Sequence, residues 1–219
     1  MVRSKLIENT IIFVKSKLAN AEGGHDWSHI FRVWQNAKNI AKSEKVDQEI
    51  VEVAALLHDI ADSKFHNGNE EIGPQTALEY LRNTEMSNDG INHIINIIRY
   101  MSFKNSFKES RFVSKEMEVV QDADRLDAIG AIGIARAFNF GGFKDRMIFD
   151  PEILPVLNMN KKEYKKSTAP TINHFYEKLL LLKDKMNTTT GKTMAKSRHD
   201  FMLLYLEQFY SEVEVQNWP

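Results

Sequence analysis

The chain of 219 residues contains no cysteine, which excludes disulfides, thiolate zinc sites, iron–sulfur clusters and cysteine nucleophiles. Any bound metal must therefore be held by histidine and carboxylate. Five prolines and ten glycines are few, and most fall between periodic segments. Charge of one sign is not in excess either. With 29 basic and 30 acidic residues the formal net charge is -1, so no global field draws the chain to nucleic acid or to a membrane. An anionic substrate would have to be held by a local group of cations. No long uncharged apolar run is present. The opening MVRSKLIENTIIFVKSKL mixes charge into its apolar positions, unlike a signal peptide or a membrane span, and the reading is of a cytoplasmic protein.

Helical periodicity dominates what is there. Leu6, Ile7, Ile11, Val14 and Leu18 recur at helical spacing, and Gly23-Gly24 ends that helix. Asp26 or Ser28 is placed to cap a second helix, with Ile30, Val33, Trp34, Ala37, Ile40 and Ala41 on one apolar face. Asp47 opens a third, with Ile50, Val53, Ala54, Leu57 and Ala61 inward. The pattern predicts further helices near 70–83, 88–101, 114–138, 168–187 and 191–214, with a loop at 102–113 and an irregular stretch at 139–168. In the 114–138 helix the small-residue stripe Ala123, Leu126, Gly130, Gly133, Ala137 predicts a close neighbour, because two mid-helix glycines are otherwise costly. Strand alternation, repeats and low-complexity tracts are lacking, so the fold class is all-α. The length suits a single domain with a helical extension.

Chemistry gathers at AALLHDIAD. His58 and Asp59 stand near a helix C-terminus, with Asp62 one turn on and on the same side. Carboxylates there oppose the helix macrodipole unless a cation compensates. His29 precedes inward-facing Ile30, again at a core boundary. Asp124 and Asp127 lie one turn apart on the long helix, on a side read as largely buried, where an aspartate needs a partner. Four such groups on three helices can converge on one ion.

HDWSHIFRV, LLHDIAD and DADRLD, in this order and spacing, resemble the H…HD…D signature of the HD superfamily of metal-dependent phosphohydrolases, over roughly Gly24 to Arg136. The pieces GAIGIARAFNFGG, SFK and NHFYEKLLLLKDKM resemble the small bacterial HD proteins close to nucleotide pyrophosphohydrolases, which widens the likeness to most of the chain. The resemblance implies an HD-domain helical bundle with additional C-terminal helices: one domain over 1–219, its metal-binding core about 24–136 and its extension about 139–219. It implies His29, His58, Asp59 and Asp124 as metal ligands. Asp124 takes that place from its ADRL context, which leaves Asp127 to support or ion-pair and Asp122 exposed.

Two imidazoles and two carboxylates suit one divalent ion, Mn²⁺ first, with Mg²⁺, Co²⁺, Ni²⁺, Fe²⁺ or Zn²⁺ as alternatives. Asp62 is the candidate to orient or deprotonate water, with Lys64 beside it. Arg32, Lys104 and Arg125 are candidate phosphate contacts. The substrate class implied is a small phosphorylated molecule, a nucleotide, with triphosphate cleaved to monophosphate and pyrophosphate. A nucleotide monophosphatase or a cyclic-nucleotide phosphodiesterase is the alternative within the class. A di-iron oxygenase and a non-catalytic metal-stabilised regulatory module are the alternatives outside it. A stable nucleic-acid complex and a membrane are not expected, and a homodimer is left open. Other signals are set aside. His199-Asp200 reads as a solvated helix face, His93 and His174 as polar helix positions, and His66 as a loop residue. GKT at 191–193 lacks the earlier glycine of a phosphate-binding loop, since Met186 occupies that place.

Overall fold

The computed structural model describes residues 4–19, 26–61, 69–101, 112–160, 163 and 166–214. Its elements are α1 (Lys5–Lys17), α2 (Trp27–Ala41), α3 (Gln48–Leu57), α4 (Ile72–Leu81), α5 (Asn88–Tyr100), α6 (Lys115–Asp127), α7 (Gly130–Phe143), α8 (Asn173–Glu177), a 3-10 segment (Leu179–Lys185) and α9 (Thr189–Glu212). Among the described residues there is no strand, and the all-α expectation holds. No described helix is long and apolar enough to cross a membrane.

The helix starts are set by short polar side chains that satisfy orphan backbone N–H groups. Ser4 accepts from Ile7 N, Asp26 from His29 N, Asp47 from Glu49 N and Ile50 N, and Ser87 from Gly90 N. Asp26 rather than Ser28 therefore caps α2. Thr188 accepts from Gly191 N at 2.9 Å, so the GKT tripeptide is the first turn of a capped helix.

The chain divides into two compact units, Met1–Asp124 and Arg125–Pro219. In the first, α2 and α3 pack against each other. Ile30, Val33, Ala37, Val53, Ala54 and Leu57 are fully buried there. Burying a large aliphatic side chain contributes about 1.5–3 kcal/mol, and this non-directional term supplies the bulk of the cohesion. Polar ties add direction. Trp34 Nε1 donates to Glu52 at 2.9 Å across the α2–α3 pair. The Arg99 guanidinium grips both Glu71 oxygens, joining α5 to α4. Gln121 of α6 donates to the Met101 carbonyl at the end of α5. The second unit gathers Phe138, Phe175, Tyr205 and Phe209 into one aromatic cluster between α7, α8 and α9.

Three expectations are corrected. The single helix over 114–138 is two helices, broken at Ala128-Ile129. Gly130 has φ +75, a left-handed conformation that stops α6 and that a side chain resists. The helix that follows runs to Phe143, into the stretch expected to be irregular. The helix over 168–187 reduces to α8 and the 3-10 segment, separated by Lys178 at φ -147, ψ -55. The small-residue stripe does mark close approach. A Cβ on Gly133 would lie 2.3 Å from the Ala128 carbonyl oxygen, and one on Gly130 3.0 Å from the Arg198 side chain.

Candidate metal centre

His29 sits in the first turn of α2, fixed by the Asp26 cap on its own backbone N–H at 3.0 Å. The side chain is 4 % exposed. His58 is the C-terminal cap of α3 and its side chain is 5 % exposed. Its Nδ1 lies 2.9 Å from the Ala55 carbonyl one turn back, so Nδ1 carries the proton and Nε2 keeps its lone pair for a ligand. The two rings meet edge to face at 5.4 Å between centroids. Asp59 follows directly, and ligand atoms of His29, His58 and Asp59 all lie within 4.8 Å of one another, a group that can hold a metal ion.

Asp124 reaches the same pair of imidazoles from α6. Its Oδ1 is 3.7 Å from His29 Nε2 and 4.0 Å from His58 Nε2. Two donors bonded to one ion at about 2.1 Å stand no more than roughly 4.2 Å apart. The Asp124 distances are within that limit, and the His29–His58–Asp59 group needs little contraction to meet it. Asp124 is 44 % exposed, so solvent has access to the acidic side of the group while the imidazoles are buried. The donor set is nitrogen and oxygen only, the chemistry of a borderline-to-hard divalent cation.

The neighbouring acids divide otherwise. Asp127 is 1 % exposed and ion-paired with Arg136, matching the salt-bridge role expected of it. Asp122, expected to be exposed, is fully buried. His93 stays apart from the group: its Nε2 lies 2.9 Å from Ser114 Oγ and 3.4 Å from Glu116 Oε2. Among the cations, Arg32 lies one turn after His29, with Nη1 donating to Ser28 Oγ at 2.6 Å. Arg125 opens the second unit and donates to the Lys185 carbonyl at 2.7 Å. Asp62, Lys64 and Lys104 lie outside the described residues, as do His25 and His66. Of the His199-Asp200 pair, Asp200 is exposed and pairs with Lys196, as expected of a solvated face, while His199 is half-buried with its Nδ1 enclosed. Burial, then Lys183, pushes its pKa down. The sequence reading missed Asn36, a buried amide on α2 whose Nδ2 donates to the Ala123 carbonyl at 3.2 Å. An asparagine on the same helical face as His29 was the available signal.

Among the described residues, an all-α fold with a buried histidine beside a His-Asp pair at a helix end, and an aspartate from a later helix within 4.0 Å of both imidazoles, defines a class. The HD domain family matches residues 26–129. YpgQ of Bacillus subtilis (strain 168) is 37% identical over 214 residues, covering 97% of this chain and 96% of YpgQ. The chain belongs to the HD superfamily of metal-dependent phosphohydrolases. Solved relatives include an HD-superfamily hydrolase from Bacillus thuringiensis, 41% identical with a TM-score of 0.79, covering 98% of this chain and 100% of that one. Another is Bacillus subtilis YpgQ in complex with ADP, 35% identical with a TM-score of 0.76, covering 98% and 97%.

Proposed function

We propose that His29, His58, Asp59 and Asp124 hold one divalent cation, Mn²⁺ by preference, and that the enzyme hydrolyses nucleoside triphosphates to monophosphate and pyrophosphate. The observation that carries this reading is the approach of Asp124 Oδ1 to both imidazole Nε2 atoms, from a helix distant in sequence. When bound, a divalent ion supplies Lewis acidity, lowering the pKa of a water and taking up charge on a phosphoryl oxygen. The protein's own part is placement and charge, since phosphoryl transfer asks for little covalent help. The buried imidazoles form a rigid floor, and the half-exposed Asp124 leaves the approach open to solvent.

Asp62, one turn beyond His58 and Asp59 in the sequence, is proposed to orient the attacking water and accept its proton. Water adds to the α-phosphorus, and the bond from that phosphorus to the α–β bridging oxygen breaks. Nucleoside monophosphate and pyrophosphate leave, and one proton is released. Lys64, Arg32 and Lys104 are proposed to neutralise the phosphate chain. The ADP bound to YpgQ, a full-length relative, supports a nucleotide as the substrate class.

The test is a metal-supplemented screen of nucleoside triphosphates, monophosphates and cyclic nucleotides with products identified. Release of pyrophosphate from triphosphates is the expected result. Triphosphates inert with every divalent metal would refute the pyrophosphohydrolase reading. Asp59→Ala and His58→Ala should each lower turnover by more than about 100-fold, since losing a ligand exceeds the loss from a supporting residue. Far-ultraviolet circular dichroism should show unchanged helix content.

A further inference from the structure

Asn36 is buried on α2, and a buried amide costs free energy unless its polar atoms are paired. It stands seven residues after His29, which is about two turns and about 10.5 Å along the axis, on the same helical face. Its Nδ2 donates to the carbonyl of Ala123, the residue immediately before Asp124. That carbonyl belongs to the peptide unit that carries the Asp124 backbone N–H. Val33 and Ala37 of α2 and Ala123 of α6 are fully buried and apolar. Apolar contact resists separation and is indifferent to sliding, because it scales with area and has no direction. A hydrogen bond has both length and angle, so it sets how far α6 lies along α2.

The proposed ligand set needs this setting. His29 and His58 are held locally, by the Asp26 cap and by the Ala55 carbonyl. Asp124 arrives from a helix 95 positions after His29 (124 − 29). A metal site tolerates ligand distances within about 0.2 Å of ideal. We infer that Asn36 is a positioning residue for the metal centre, fixing the register of α6 on α2 so that the Asp124 carboxylate meets the His29 and His58 imidazoles.

The inference rests on the reading of Asp124 as a ligand, and the experiment separates the two. Mn²⁺ affinity of the full chain is measured by calorimetry for the wild type, Asn36→Ala, Asn36→Leu, Asp124→Asn and the double variant Asn36→Ala/Asp124→Asn. Asn36→Leu keeps the side-chain size without a donor or a charge, so it serves if the alanine variant does not fold. Ile94→Val, a trimmed and fully buried core residue on α5, controls for general loss of stability. Asn36→Ala and Asn36→Leu should weaken Mn²⁺ binding about tenfold, the low end for residues that support ligands. The helix content of the metal-free protein and the affinity of Ile94→Val should be unchanged. In the double variant the Asn36 change should add almost nothing to the Asp124 loss, because it acts through Asp124. A residue that merely supports the fold would add its full effect. Additive losses, or Asn36 variants within twofold of the wild type while Asp124→Asn fails to bind, overturn the inference alone. Wild-type affinity in Asp124→Asn overturns the ligand reading and this inference with it.

Discussion

Asp122, Asp124 and Asp127 occupy less than two turns of α6 and meet three environments. The first is fully buried, the second half-exposed beside two imidazoles, and the third closed on Arg136. Sequence pattern separated Asp124 and Asp127 by context and misjudged Asp122. Burial on a helix depends on which neighbours arrive from elsewhere in the chain, and a local period carries no record of them. The histidines repeat the point. His174, read as a polar helix position, is largely enclosed. Its pKa is pushed down to about 4 by burial first, then by Lys178 and Arg146. The ordinary value is 6.5, so the unfolded chain takes up this proton before the folded one does. The resulting stability is complete above about pH 6.5 and declines as pH falls toward 4, by up to roughly 3 kcal/mol. Replacing His174 with Gln should flatten that part of the profile. Urea midpoints between pH 7 and pH 4 for both proteins would show it, and parallel profiles would dismiss it.

Helix existence was legible from period and capping residues, and the early helices fall close to their expected spans. The α6–α7 break was not, because Gly130 and Gly133 were read as concessions to a neighbour inside one helix. Both roles are real at once: Gly130 turns the backbone through positive φ, and its missing Cβ makes room for Arg198. The Arg198 guanidinium in turn donates to the Leu126 carbonyl at the C-terminal end of α6, where orphan acceptors collect. Three glycines of α7 should therefore respond differently to alanine. Gly133→Ala drives a Cβ to 2.3 Å from the backbone oxygen of Ala128 and should cost about 2 kcal/mol or more. Gly130→Ala meets positive φ and should cost about 1–2 kcal/mol. A Cβ on Gly142 meets nothing within 4 Å, and Gly142→Ala should be neutral or gain up to about 1 kcal/mol from helix propensity. Denaturant titration of the three variants ranks them, and a loss at Gly142 equal to that at Gly133 would contradict the assignment.

At the level of the whole chain, the proposed ligands all come from the first unit, and its boundary falls directly after Asp124. A cation that binds the folded protein and not the unfolded one raises stability by mass action, about 2.7 kcal/mol at a hundred times its Kd. Thermal melts with added Mn²⁺ should shift upward with concentration and return to the metal-free value with chelator. Hydrogen exchange should slow in α2, at the end of α3 and in α6. A melt indifferent to every divalent cation would remove the metal centre from consideration.

The span between the first and last proposed ligands has one more outcome for a protein without thiols. A cation bridging positions 29 and 124 would tie off most of the first unit in the folded protein alone; unlike a covalent bridge it would leave the denatured chain unconstrained, so its whole contribution would come from binding the native state. As proposed, the fastener is reversible: a chelator would withdraw it and reductant would leave it untouched, so cation supply would take the place that oxidising conditions hold for a disulfide-stapled fold.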